Sequence, residues 1–238
     1  MTRTRSRAAG RLIVALDYTA LAPALRMARA LRGLVRTVKI GSVLFTAAGP
    51  SVIRQVRRLG FDVMLDLKFH DIPSTVELSC RAAAGHGISL LTVHGSGGAD
   101  MLHAAVYGAR EGAKAARVAR ARILAVTVLT SVQRAPAMQT TAHVLRLARA
   151  ARDAGCDGVV ASAQEAAILR RRLGHQLYLV CPGIRPASAE LGDQRRVSTP
   201  GEALKRGADA LVVGRPITAA REPRAEARRI LDEMEDAC

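Results

Sequence analysis

The chain alternates between two kinds of stretch. Short runs rich in aliphatic and β-branched residues occur at 12–18 (LIVALDY), 37–41 (TVKIG), 61–69 (FDVMLDLKF), 90–96 (LLTVHGS), 123–130 (ILAVTVLT), 158–163 (GVVASA), 177–184 (LYLVCPGI) and 210–217 (ALVVGRPI). Between them lie Ala-, Leu- and Arg-rich stretches with apolar residues at helical spacing, such as ALRMARALRGL and TAHVLRLARAARDAG. Nearly continuous apolar runs suit strands buried on both faces, and the helical stretches suit crossovers between parallel strands. Eight such units in 238 residues predict an α/β fold, a single closed (β/α)8 TIM barrel rather than an open doubly wound sheet.

The punctuation agrees with this division. Gly33, Gly60, Gly87, Gly155, Gly174 and Gly207 each follow an amphipathic run and precede a strand, the place of a helix C-cap. No shift of composition marks a second domain, so we expect a disordered basic leader over 1–11 and one barrel domain over 12–238. The longest irregular connections, SVQRAPAMQT and RPASAELGDQRRVST, are candidate lids on one rim.

Composition narrows the function classes. Apolar residues make up 49% of the chain, enough for a sizeable core. No apolar run approaches the roughly 20 residues of a membrane span. The basic start MTRTRSRAAGR leads into only the short run LIVAL, unlike a secretory signal. A cytoplasmic protein with no membrane partner is expected. Four scattered cysteines without a C-x-x-C pair argue against a zinc site and a disulfide framework. The net charge of +16 would suit a nucleic-acid partner, but it is almost all arginine spread over helical stretches, and 3% aromatics leaves little to stack bases upon. No nucleic-acid partner is therefore expected.

Lysine is more informative than net charge. There are only four, Lys39, Lys68, Lys114 and Lys205, and the first two lie in strands among hydrophobes. Arginine stays protonated near neutral pH, whereas lysine can be tuned to give up a proton. Side chains alternate along a strand, so Asp66 and Lys68 share one face and Leu65 and Leu67 the other. The same parity separates Asp17 from Leu12, Val14 and Leu16, and Lys39 from Val38 and Ile40. If the apolar sets face the helices, Asp17, Lys39, Asp66 and Lys68 converge on the barrel mouth, with Asp71 in the loop above. Barrel active sites lie at this C-terminal end. Burying such charges is a poor route to stability alone, which favours chemistry over a structural ion-pair network. VVGRPI ends the eighth strand with Gly214, whose backbone an anion can approach, and Arg215, which can clamp it; this is a candidate phosphate site.

With these residues in hand, the chain resembles the orotidine 5'-phosphate decarboxylase family from about Leu12 to its end. DLKFHDIPST is the most specific motif, backed in order by LDY, VKIG, HGSGG, VLTS, PGIRP, GDQRRV and VVGRPI. The resemblance implies decarboxylation of orotidine 5'-phosphate to UMP in pyrimidine biosynthesis, with no metal and no organic cofactor. It implies a catalytic array of Asp66, Lys68 and Asp71, with Lys68 protonating C6. Asp17 and Lys39 would bind the ribose hydroxyls, and Thr130 the pyrimidine. Gln194, Gly214 and Arg215 would grip the phosphate with help from Arg185. Asp71 and Thr75 would reach into a neighbouring subunit's site, implying a homodimer with shared active sites.

Two departures stand out: KIGSVLF lacks the acidic residue often found after this glycine, and Cys181 stands where a small hydroxyl residue is common. Both leave the charged array untouched. His70 and His94 are expected to serve structure rather than act as bases. Sugar-phosphate decarboxylases and aldolases of the same broader group resemble one another in using a metal and an acid on the second strand; Lys39 disfavours that reading here.

Overall fold

The computed structural model describes residues 8–129, 137–186 and 198–237. Eight parallel strands, β1 (Leu12–Ala15), β2 (Thr37–Gly41), β3 (Asp62–Phe69), β4 (Leu90–His94), β5 (Arg122–Val126), β6 (Gly158–Val160), β7 (Tyr178–Cys181) and β8 (Ala210–Val213), close into a barrel in sequence order. Around them run α1 (Leu21–Leu31), α2 (Ser42–Ala48), α3 (Ser51–Arg58), α4 (Pro73–Ala84), α5 (Gly98–Ala116), α6 (Ala137–Asp153), α7 (Ala163–Leu173), α8 (Pro200–Lys205), α9 (Arg215–Thr218) and α10 (Pro223–Asp236). Among the described residues no helix is long and apolar enough to cross a membrane.

The strand parity read from the sequence sorts the core into two shells. Leu12, Val14, Val38, Ile40, Val63 and Leu65 pack outward with the helices. Ile13, Ala15, Met64, Leu124, Val160 and Val212 fill the barrel interior. Each of the Val, Leu, Ile and Met side chains among them contributes roughly 1.5–3 kcal/mol when fully buried. A slip of one residue in any strand would exchange the two sets, so the pattern holds the register firmly.

All six glycines expected as helix stops have positive φ, from 66° at Gly174 to 101° at Gly207. Three of them begin a triplet that recurs at the barrel floor: Gly60-Phe61-Asp62, Gly155-Cys156-Asp157 and Gly207-Ala208-Asp209. The glycine ends one helix, and the aspartate stands beside an arginine at the start of the next strand, as its first residue at Asp62 and just before it at Asp157 and Asp209. Arg36 Nε lies 2.6 Å from Asp62, and Arg120 and Arg170 pair with Asp157 and Asp209. Asp157 and Asp209 also accept backbone N–H groups of the neighbouring strand, from Ile123 at 2.8 Å and Leu179 at 2.7 Å.

Some boundaries differ from expectation. β1, β4, β5, β6, β7 and β8 stop short of the apolar runs that announced them. At the rim the chain turns into loops or short helices, as where Gly214 leads into α9. The body of the protein also begins before Leu12: Ala8–Gly10 form a 3-10 turn with Ala8 and Ala9 buried. Arg11 secures this turn by donating from Nε to the Asp209 carbonyl at 2.9 Å. The expected leader is thus shortened at its inner end, because two small apolar side chains and one guanidinium close the floor; residues 1–7 lie outside the described residues. The two candidate lids also lie largely outside them, although the last part of the first, from Ala137, is already the first turn of α6.

The pair α4 and α5 is packed unusually closely. A β-carbon at Gly108 or Gly112 of α5 would run into the carbonyl oxygens of Glu77 and Arg81 in α4. This contact fixes the helix whose first turn carries Thr75.

Candidate active site

A cavity of about 330 Å3 opens at the C-terminal ends of the strands. Its floor is apolar, made by Ala15, Met64, Val126, Val160 and Val212, and Asp17, Lys39, Asp66 and Lys68 also line it. So do Arg185, Gly214 and Arg215, from the ends of β7 and β8. The structure therefore brings together six of the charged side chains singled out in the sequence.

The four charges on the β1–β3 side form a chain of contacts. Lys39 Nζ lies 2.9 Å from Asp17 Oδ1 and 3.4 Å from Asp66 Oδ2, and Lys68 Nζ lies 2.8 Å from the same Asp66 oxygen. One carboxylate oxygen thus serves two ammoniums. The side chains of Lys39 and Asp66 are only 11% and 10% exposed, whereas Lys68 keeps 34% open to the cavity. Burial pushes the Asp66 carboxyl up, but Lys39, Lys68 and hydrogen bonds from Lys68 and Thr92 outweigh it and hold the group below its ordinary value. Asp66 is therefore an anion at neutral pH. Gly41 leaves room for this arrangement: a β-carbon there would stand 3.0 Å from Lys39 Nζ and 3.1 Å from Asp17 Oδ1.

Lys68 reaches the mouth by a less regular route than strand alternation. Its φ is 51°, in the left-handed region, which costs a non-glycine residue on the order of 1–3 kcal/mol. The β3–β4 register shifts between Leu65 and Phe69, marking a bulge. Sequence reasoning missed both this bulge and Thr92, the residue facing it. Thr92 is fully buried; its hydroxyl donates to Asp66 Oδ1 at 2.9 Å and accepts the Lys68 backbone N–H at 3.0 Å. The available signal was faint, a lone hydroxyl residue on the inward face of LLTVH.

On the other side of the mouth, Arg185 is buried, and its guanidinium is held below its ordinary pKa first by burial and then by the charge of Arg215. Two cations this near one another make that side strongly attractive to an anion. Asp71 and Thr75, by contrast, are exposed and do not line this chain's own cavity. Asp71 Oδ1 accepts the N–H of Ile72 at 2.6 Å. His70 and His94 stand ring to ring with centroids 5.2 Å apart. Burial, followed by the charges of His70 and Lys68, holds His94 below its usual pKa against the opposing pull of Asp66. Cys181 is buried with its thiol pushed up to about 12, an inert packing residue. Thr130 and Gln194 lie outside the described residues.

A closed barrel with a concave, charged mouth at the C-terminal ends of its strands has the build of a barrel enzyme. Comparison with known proteins makes this specific. The family model for "Orotidine 5'-phosphate decarboxylase / HUMPS family" matches residues 10–230. A protein of Anaeromyxobacter sp. (strain K) named orotidine 5'-phosphate decarboxylase is 49% identical over 226 residues, covering 92% of this chain and 96% of that protein. A protein of the same name from Halorhodospira halophila is 48% identical over 230 residues, covering 94% and 95%. The crystal structure of orotidine 5'-phosphate decarboxylase from Lactobacillus acidophilus superposes with a TM-score of 0.80 at 36% identity, covering 94% of this chain and 99% of that one. The chain belongs to the orotidine 5'-phosphate decarboxylase / HUMPS family.

Proposed function

We propose that this protein converts orotidine 5'-phosphate to UMP in pyrimidine biosynthesis, without metal or organic cofactor, and that Lys68 protonates C6. The observation that carries the reading is the Lys39–Asp66–Lys68 cluster sharing one cavity with the Arg185–Arg215 pair. A substrate with a carboxylate on one side and a phosphate on the other matches that layout. Family membership supports the same reaction.

In this mechanism the C6–carboxylate bond breaks heterolytically, and CO2 departs. The electron pair stays on C6 in the plane of the ring, where no π system can accept it. A fixed ammonium beside C6 stabilises that charge as it develops and then supplies the proton. Lys68, partly open to the cavity and tied to Asp66, is the group for both roles. It ends the step neutral and regains a proton from water. Asp66 orients Lys68, and Lys39 with Asp17 holds the ribose hydroxyls. Thr130 would hold the pyrimidine, while Arg185, Gln194, Gly214 and Arg215 would hold the phosphate. Phosphate binding remote from C6 supplies energy to order the site around the reacting bond. Metal independence is supported by the donor set, since Lys39 and Lys68 already occupy the carboxylate a cation would need.

The working unit in this reading is a homodimer with shared sites. Asp71 and Thr75 are exposed outside their own cavity, and Ile72 and Leu78 beside them are 63% and 62% exposed. Large apolar side chains around a displaced catalytic residue suit a subunit interface. The site of work is the cytoplasm, with small-molecule partners only.

The test is the ultraviolet absorbance change when orotidine 5'-phosphate meets chelator-treated protein, with UMP identified as product. Turnover is expected without added metal. No turnover by folded protein overturns the reaction, and turnover only on adding a divalent cation transfers the chain to a metal-dependent chemistry.

A further inference from the structure

The bulge in β3 poses a structural problem at the residue that matters most. Leu65 pairs with Leu91 and Phe69 with Val93, so residues 66–68 of β3 face only Thr92 of β4. The Lys68 amide therefore points where a regular ladder would offer a backbone carbonyl, and the residue sits at a φ of 51°. Such a conformation persists only where the surroundings over-determine it.

Thr92 supplies that determination through one oxygen. Its Oγ1 accepts the Lys68 N–H at 3.0 Å and donates to Asp66 Oδ1 at 2.9 Å. The other Asp66 oxygen accepts from Lys68 Nζ at 2.8 Å. A closed loop results: Thr92 to Asp66, Asp66 to the Lys68 ammonium, and the Lys68 backbone back to Thr92. The side chain has no solvent exposure, so water cannot replace it in either bond.

We propose that Thr92 is a positioning residue for the reaction: it fixes Lys68 at both ends, its backbone directly and its ammonium through Asp66. This rests on the decarboxylase reading proposed above. A hydroxyl is required because the group must accept from an amide and donate to a carboxylate at once. Valine fills the same space and does neither, while serine keeps the hydroxyl and loses only a methyl.

The experiment compares Thr92→Val and Thr92→Ser, each shown to be folded by thermal unfolding. In the valine variant the Lys68 amide should exchange with solvent about tenfold faster or more, having lost its acceptor, and in the serine variant at the wild-type rate. With orotidine 5'-phosphate, valine should lower kcat about 10- to 100-fold with KM little changed, because the ammonium is misplaced rather than the substrate unbound. Serine should recover most of the loss. The acid limb of the valine profile should move to higher pH, since Asp66 loses a hydrogen bond that favours its anion. A folded valine variant with wild-type kcat overturns the proposal, as does a serine variant as slow as valine. Should valine prevent folding, Thr92→Cys, close in size and a far weaker hydrogen-bonding group, carries the same expectations. Amide exchange needs no substrate, so absent wild-type turnover would count against the reaction while exchange still decides whether Thr92 holds the bulge.

Discussion

The two ends of this barrel both carry aspartates facing cations, yet they use different cations for different tasks. At the floor the partners are arginines: Arg36 with Asp62, Arg120 with Asp157 and Arg170 with Asp209. The Arg36 and Arg120 side chains are 61% and 42% exposed and Arg170 only 10%, and two of the aspartates also accept backbone N–H groups of a neighbouring strand. These pairs tie loops and, through Arg170, helix α7 to the starts of strands, a task for a permanent charge with a planar fork. At the mouth the partners are lysines, drawn from a chain that has only four, and Lys39 is nearly buried. Buried ammoniums are a costly way to hold a loop. They suit the role proposed for Lys68, a charge that meets a developing anion and then gives away a proton. Residue type, rather than burial, separates the scaffold's charges from the site's: Arg170 at the floor is 10% exposed and Lys39 at the mouth 11%.

Substitutions at either end of the barrel test this division. The largest effects belong to the mouth. Lys68→Ala and Asp71→Ala should each reduce turnover on the order of 1,000-fold or more, as loss of a general acid or an electrostatic group does. Mixed after subunit exchange, these two inactive variants should recover roughly a quarter of wild-type activity, because half the dimers would hold one intact site of two. Absence of recovery despite proven exchange would confine each site to one chain. Arg215→Ala should come next, lowering kcat/KM by about 100-fold by weakening the hold on phosphate. Unchanged steady-state kinetics would place the phosphate elsewhere.

Smaller effects concern stability. The Asp66 carboxyl is held below its ordinary value of 3.8 in the folded protein. Its contribution is therefore fully present above that value and lost as pH falls through the lower folded pKa. Denaturant unfolding of wild type and Asp66→Asn should show a gap near neutral pH that narrows in acid below about pH 4. A gap independent of pH would mean that Asp66 is not held as an anion by its neighbours. At the floor, Arg36→Lys should change unfolding free energy by only about 0.5 kcal/mol and leave kcat unchanged, since that pair is solvated and keeps its charge. A large loss of activity there would erase the distinction between the two ends.

Much of this was legible in the sequence because β-alternation is a strong local rule. It placed Asp17, Lys39 and Asp66 at the mouth and sorted Val14, Ile40 and Leu65 to the helix side. It found Lys68 for an incomplete reason. The bulge that delivers Lys68 depends on Thr92 of the next strand, a contact between residues far apart in the chain, and a threonine in a strand reads simply as a good β-former. Strand ends were overextended because apolar character continues past the point where pairing stops. The early start at Ala8 was hidden because small apolar residues in a basic stretch give no periodic signal. The Gly-x-Asp triplets at 60–62, 155–157 and 207–209 were present as a repeat, and only their pairing with distant arginines revealed their purpose.

The most direct test of the central claim is turnover of orotidine 5'-phosphate by Lys68→Arg. Arginine keeps the positive charge beside Asp66 and forfeits the proton that lysine can release. The expected result is a folded protein that still binds UMP but shows turnover lower by about 1,000-fold or more. Turnover within about tenfold of wild type would contradict the account, because charge alone would then suffice and lysine at the mouth would be doing no more than arginine does at the floor.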